Sequence, residues 1–404
     1  MLEKPLSPFS SATHPLTGKT VLQIIPALNA GGAERTTIDI AGALAEVGAR
    51  ALVATEGGRM VGELQARGGL WIPFQAGTKN PLRIWANGRR LARLMREEKV
   101  DLIHARSRAP AWSAMLAAQQ TGKPFVTTYH GAYAQKSEWK KRYNSVMARG
   151  DVVIANSHFT ATRIIETWPE AIARVRVVHR GTDLSAFVPA AVGVERVEAL
   201  RRAWGVPPHQ RIILLAGRLT GWKGQRIQIE AAARLRDAGI DDVVHVLAGD
   251  PQGRDGYVAE LDTMIAERGL GTIVRRVGHC SDMPAAFLAA AIATVPSVEP
   301  EAFGRIAAEA QAMGCPVIVS DIGAAPETVL APPDVPAGQR TGWRVPAGDA
   351  AALADALGEA LNMGASARDA LSARARAHVE AHFSLPVMTR ATLAIYAELI
   401  RQRR

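Results

Sequence analysis

Cysteine is nearly absent from this 404-residue chain. Cys280 and Cys315 allow no disulfide framework and no cysteine-based metal spacing, which fits a reducing compartment. Long apolar runs are missing too. The best candidate, Met283–Val298, is Ala-rich, contains Pro284 and Pro296, and falls short of the about 20 residues that a spanning helix needs. No Asp-x-Asp occurs and no His/Cys cluster has ligand spacing, so no metal is expected. The G-x-G-x-x-G dinucleotide fingerprint is lacking, which argues against a nicotinamide enzyme. There is no helix-turn-helix, zinc finger or RNP-like segment, hence no expected nucleic-acid partner. Without a fixed-period repeat, solenoids and propellers drop out as well. The opening residues lack the basic start and apolar run of a signal peptide. Residues 1–18, with Pro5, Pro8 and Pro15, read as a flexible tail.

What is abundant is positive charge. Lys and Arg number 48 against 38 Asp and Glu, a net charge of +10, which favours anionic partners. The excess gathers in Arg89, Arg90, Arg93 and Arg96; in Lys136, Lys140, Lys141 and Arg142; and in the closing Arg401, Arg403 and Arg404. Trp139 and Tyr143 stand within the second cluster. Amphipathic rings beside cations suit a membrane interface, so an anionic membrane surface is an expected partner.

Short β-branched runs alternate with helical patterns, the signature of an α/β chain with parallel sheets covered on both faces. The strands expected in the first half are Val21–Pro26, Ala51–Thr55, Asp101–His104, Phe125–Tyr129, Asp151–Ala155 and Val175–His179. Amphipathic helices are expected over Glu34–Val47 and Trp85–Lys99. The rhythm stops near Asp183, then restarts with Ile212–Ala216, Val243–Ala248, Ile273–Val277, Ala291–Val295 and Pro316–Ser320. Two doubly wound, Rossmann-like domains follow, over 19–190 and 191–383, with ligands at the carboxyl ends of their strands and a cleft between them. A terminal helix in 384–404 could belong to either.

The densest chemistry lies in Glu301-Ala-Phe-Gly-Arg-Ile-Ala-Ala-Glu309, followed by Gly314-Cys-Pro316. Pro296 and Pro300 end a strand, and Gly304 lets the backbone turn into a helix whose first amides point at a ligand. Glu301 falls in the loop and Glu309 inside the helix, so the two carboxylates can meet different parts of one ligand. Upstream, Gly217-Arg218-Leu-Thr-Gly-Trp-Lys223-Gly224 places two cations on a glycine-bearing loop after a strand, which suits a diphosphate. Gly31-Gly32 after the first strand permits close backbone approach at a helix start. His130 ends a strand of the first half, where an open sheet binds ligands.

Taken in order, these segments resemble the retaining GT-B glycosyltransferases of family four, whose signature is E-x7-E. The resemblance runs from about residue 20 through Gly31-Gly32-Ala33-Glu34, Tyr129-His130-Gly131, Ala155-Asn156-Ser157, Gly217-Arg218-Leu219, Ala248-Gly249-Asp250, Pro296-Ser297, Asp321-Ile322-Gly323 and Gly342-Trp343 to Gly348-Asp349. Arg180 departs from a common asparagine, Pro251 from a glycine after Asp250, and Ala324 from a second glycine.

The resemblance implies a bacterial enzyme of the lipopolysaccharide or polysaccharide type that moves a hexose from a UDP- or GDP-sugar to an anionic or lipid-linked saccharide. It implies no divalent metal, and a cytoplasmic place on the inner face of the membrane. Glu309 would hold the donor ribose and Glu301 the transferred sugar. The amides around Phe303 and Gly304 would hold sugar hydroxyls or the distal phosphate. Arg218 and Lys223, with Gly217, would hold the diphosphate, and Gly31 and Gly32 would lie over the donor phosphates or near the acceptor. His130 would lie near the transferred sugar. A sugar-nucleotide epimerase, a sugar–phosphate synthase and, more remotely, a non-catalytic nucleic-acid binder are the alternatives.

Overall fold

The strand at Thr20–Ile24 buries all five of its residues and that at Val243–Ala248 all six, so neither can lie in a sheet with one wet face. A computed structural model describes residues 13–29, 31–131 and 137–403, and it places these two strands inside separate parallel sheets. The first sheet comprises β1 (Thr20–Ile24), β2 (Arg50–Thr55), β3 (Leu70–Pro73), β4 (Leu102–Ala105), β5 (Phe125–Tyr129), β6 (Val152–Ala155) and β7 (Val175–Val177). Its order is β3-β2-β1-β4-β5-β6-β7. The second comprises β8 (Arg211–Ala216), β9 (Val243–Ala248), β10 (Val274–Gly278), β11 (Ala290–Val295), β12 (Val317–Ser320) and β13 (Trp343–Val345), in the order β10-β9-β8-β11-β12-β13.

Both sheets reverse their winding direction once, between β1 and β4 in the first and between β8 and β11 in the second. Loops leaving neighbouring strands diverge at such a point and leave a crevice at the carboxyl edge. The second sheet is packed by helices on both faces. Ile212, Leu214, Val246 and Phe287 form one buried cluster, while Ile213, Leu235, Trp343 and Leu357 form another. A few polar side chains are buried within this apolar frame, and they pair with each other. Gln228 Nε2 meets His245 Nδ1 at 2.5 Å, and Thr294 Oγ1 donates to Gln228 Oε1 at 2.8 Å.

Two strands have no counterpart in the sequence reading. β3 is a half-exposed edge strand ending in Pro73, and β13 an edge strand of three residues centred on Arg344. β3 is apolar but short and ends at a proline, and β13 is interrupted by Arg344, so neither reads as a central strand. The helix read from Glu34 starts at Gly32, and that read from Trp85 starts at Pro81, where the Asn80 side chain accepts from the Leu82 and Arg83 amides.

The tail also ends earlier than residue 18. Leu16 is fully buried and Thr17 Oγ1 donates to Val47 O at 2.9 Å; residues 1–12 lie outside the described residues. The chain divides into two units. One holds the chain through Ala155, Ile164–Val178 and the stretch from Thr389 onward, and the other holds Asn156–Arg163 and His179–Met388. The change of unit at Val178–His179 precedes the join read near residue 190, because β7 completes the first sheet before the prolines begin. The final helix, Leu385–Gln402, gives most of its length to the first unit. Among the described residues, no helix is long and apolar enough to cross a membrane.

Candidate active site

The loops after β8 and β11 meet at the switch point of the second sheet. Gly224 makes the approach possible. Its backbone is left-handed (φ +80°), and a Cβ there would lie 1.8 Å from Pro296 O. No other residue fits that space. The Val298 amide donates to Trp222 O at 2.8 Å and fastens the two loops together.

Lys223 then reaches Glu301, with Nζ 2.7 Å from Oε1, and both side chains are mostly buried. Ser297 Oγ donates to the same carboxylate oxygen at 2.6 Å, and Lys223 Nζ lies 4.4 Å from the centre of the Trp222 ring. Arg218 sits on the same loop, held through its carbonyl by Gln225 Nε2 at 3.0 Å. Its side chain is exposed and has no partner among the described residues.

Glu301 lies in the loop, and Glu309 in the helix Arg305–Ala312 that the left-handed Gly304 (φ +83°) begins. Phe303 packs edge-on against Phe383, 5.6 Å between centres, beside Ala308 and Val379. The ring is therefore an anchor, and what this loop offers a ligand is backbone. The amides of Phe303 and Gly304 donate to no acceptor among the described residues, so the helix start is open to negatively charged or hydroxyl oxygens.

Glu309 is almost fully buried and accepts from Arg305 Nη2 at 2.6 Å. Burial pushes its pKa above the usual carboxylate value, with Arg305 and Arg180 opposing. Arg305 is half-exposed, and such an i,i+4 pair contributes only about 0.3–0.5 kcal/mol, so desolvation wins. A carboxylate held this way is a strong acceptor for neutral hydroxyls, the donors that a ribose supplies.

Gly217 leads into the loop of Arg218, whereas Gly31, Gly32 and His130 belong to the other unit. His130 follows β5 and is half-buried. Gly31 precedes the helix Gly32–Glu46, and the Glu34 carboxylate lies where a Cβ of Gly31 would come within 2.6 Å of it. The helix start thus already faces a carboxylate of its own chain.

Sequence reasoning missed Ser297 as the second donor to Glu301 and Arg305 as the partner of Glu309. The i,i+4 spacing of Arg305 and Glu309 was the available signal. It also missed Glu327. This carboxylate accepts from the His158 and Phe159 amides at 2.7 and 2.8 Å, capping the helix His158–Thr167, and from His179 Nε2 at 2.9 Å. Burial alone would raise its pKa, but these hydrogen bonds outweigh burial and lower it. Among the described residues, His158, His179 and Glu327 form the one group close enough to share a metal ion. Its carboxylate is committed to those three donors, so the arrangement is explained as a helix cap.

Comparison with known proteins bears directly on this geometry. The model of the family described as Glycosyltransferase Family 4 matches residues 30–186, and that of Glycosyl transferases group 1 matches residues 196–378. A glycosyltransferase structure from Rickettsia africae is 34% identical, with a TM-score of 0.86, over 95% of this chain and 99% of that one. The chain belongs to glycosyltransferase family 4. Its two doubly wound units are those of the GT-B fold. Among other members of this class, Anabaena Alr3699/HepE in complex with UDP-glucose is 25% identical, with a TM-score of 0.76, over 94% of this chain and 99% of that one. The D-inositol 3-phosphate glycosyltransferase of Salinispora arenicola is 33% identical over 245 residues, 55% of this chain. The chain spans about half the length of that curated relative, 54%.

Proposed function

We propose that this family 4 member transfers a hexose, with retention of configuration, from a UDP- or GDP-sugar to an anionic or membrane-linked saccharide. The observation that carries the reading is the Lys223–Glu301 pair, set beside the open Phe303 and Gly304 amides with Glu309 in the helix behind. Lys223 and Arg218 neutralise the departing diphosphate, and Glu309 accepts the ribose hydroxyls. Glu301 accepts from a hydroxyl of the transferred hexose, with its orientation held by Ser297 and Lys223. His130 contributes an imidazole near that sugar.

In the transfer, the bond from the anomeric carbon to the phosphate oxygen breaks as the acceptor oxygen bonds on the same face. The acceptor proton passes to the leaving diphosphate. Positive charge developing on the sugar ring is stabilised only in this transition state. With two cations at the diphosphate, the step needs no divalent ion, so a chelator is expected to leave the rate unchanged.

The UDP-glucose complex of the Anabaena relative supports a UDP-hexose donor, and the phosphorylated inositol in the name of the Salinispora relative supports a charged acceptor. Nucleoside diphosphate release that depends on added lipid-linked saccharide, with an α-anomeric product by NMR, is the expected result. Conversion of the nucleotide sugar to an epimer without acceptor would establish the epimerase alternative instead. Transfer to a free sugar phosphate would establish the synthase alternative.

A membrane-held acceptor is supported by the helix Pro81–Glu97. There Leu82 is 79% and Trp85 52% exposed, and Arg89 stacks 4.2 Å above the Trp85 ring. Trp139, 82% exposed, stands in a second helix beside Lys140 and Lys141. Arg403 is less available, since it is tied to Asp151 at 2.9 Å, while Lys136 and Arg404 lie outside the described residues. Each basic residue near an anionic surface contributes about 1 kcal/mol. Binding to vesicles containing anionic lipid should therefore weaken as salt rises and weaken again in Trp85→Ser. Absence of salt-sensitive binding would separate the protein from the membrane.

A further inference from the structure

The switch point of the first sheet holds a buried cation without a carboxylate partner. Arg106 follows β4, and its amide donates to Ile24 O of β1 at 3.0 Å, so its side chain starts from the seam between the two strands. The residue is 2% exposed. Nε and Nη2 both donate to one neutral oxygen, Gln23 Oε1, at 2.9 and 2.5 Å. Gln23 is itself fully buried on β1 and donates from Nε2 to Thr37 O at 3.0 Å.

The third nitrogen, Nη1, has no protein partner among the described residues. No described carboxylate lies within ion-pair reach of the guanidinium. Asp39, whose charge acts on Arg106 from a greater distance, pairs with Arg67 at 3.0 Å.

The neighbouring histidine on β4 supplies no counter-charge. His104, on β4, is fully buried between Tyr396 and Thr128, with Nε2 2.7 Å from Thr128 Oγ1. Its affinity for a proton is reduced by burial first, then by the charges of Arg106 and His130. Three basic side chains thus lie within each other's fields at one carboxyl edge of the sheet. A guanidinium removed from water costs several kcal/mol, and an amide oxygen does not replace a counter-ion.

We propose that Arg106 binds an oxyanion, a phosphate or carboxylate, of the acceptor, which supplies the charge that the chain withholds. The word acceptor rests on the transferase reading above; the anion site itself does not. Gln23 orients the guanidinium by occupying Nε and Nη2, and leaves Nη1 for the ligand.

Thermal denaturation of the whole chain in inorganic phosphate, acetate or chloride at matched ionic strength tests the proposal. Saturable stabilisation by phosphate or acetate beyond chloride is expected in the wild type and equally in Lys223→Ala, whose donor site is impaired. The better of the two anions identifies the acceptor group. Arg106→Met should weaken that anion about 10- to 100-fold, the range for losing charge-assisted hydrogen bonds, with Arg106→Lys in between. Without anion, Arg106→Met should melt no lower than the wild type, because a buried charge has been removed.

Three results would overturn the site: no stabilisation of the wild type beyond chloride, loss of the effect in Lys223→Ala, or full retention in Arg106→Met. Should Arg106→Met fail to fold, the wild type, Lys223→Ala and Arg106→Lys still decide. Failure of the donor reading alone would show as no nucleotide-sugar binding with the anion effect intact.

Discussion

Lys223→Ala is expected to lower turnover about 10²- to 10³-fold, the range for removing one preorganised donor from developing charge. The ammonium is held at 2.7 Å from Glu301 on a loop that Gly224 presses against Pro296, so it reaches the ligand without reorganising. Charge on the diphosphate grows as the sugar leaves. The loss should therefore fall mainly on kcat, with a smaller rise in KM. Glu301→Gln is expected to show a related defect. The two substitutions combined should be less damaging than the product of their separate effects, since each already breaks the same pair. Steady-state release of nucleoside diphosphate measures all three variants, with circular dichroism confirming that they fold. Turnover near the wild-type value in Lys223→Ala would remove this residue from the mechanism.

Acidification below about pH 6.5 is expected to destabilise the protein through its buried histidines. Burial pushes His245 down to about 3 from 6.5, and holds His104 well below 6.5 with help from Arg106 and His130. His378 moves the same way, chiefly through burial. In the unfolded chain these imidazoles take up protons below about 6.5, while in the folded chain they stay neutral. The unfolded state then binds more protons, so stability is fully present above that value and is lost as pH falls toward the folded values. Each fully buried histidine contributes about a tenfold rise in the unfolding constant per pH unit, or about a hundredfold for His104 and His245 together. Urea midpoints measured at neutral pH and at about pH 5 should show this slope, and it should be shallower in His245→Gln. A flat profile across that window would contradict the burial of both rings.

The parts of the fold that were legible in the sequence are those where one local pattern suffices. Val243–Ala248 and Phe125–Tyr129 are rich in β-branched and aromatic residues, and both are buried along their whole length because both faces of their sheets are covered. Glu301 and Glu309 were legible as a loop and a helix carboxylate, because Pro300 and Gly304 bracket the loop that leads into the helix. The half-exposed β3 and the three-residue β13 were not, since the first is cut short by Pro73 and the second is interrupted by Arg344. Leu16 was hidden among prolines and polar residues, although the core takes it in completely.

The rest of the site depends on partners distant in sequence. Lys223 and Glu301 are 78 positions apart, Gln23 and Arg106 are 83, and His179 and Glu327 are 148. No periodicity or spacing encodes such pairs. The arginine after β4 carries no motif in the sequence, and only the pairing of β1 with β4 gives it its place.

The central claim is that the second unit binds a nucleotide-diphosphate sugar through Lys223 and Glu309. Thermal denaturation against UDP-glucose, UDP-galactose, GDP-mannose and the free diphosphates tests it most directly. One base is expected to stabilise the wild type by about 2.7 kcal/mol at a hundred times its dissociation constant, with the effect much reduced in both Lys223→Ala and Glu309→Ala. No stabilisation of the wild type by any of them, or equal stabilisation of both variants, would contradict the account.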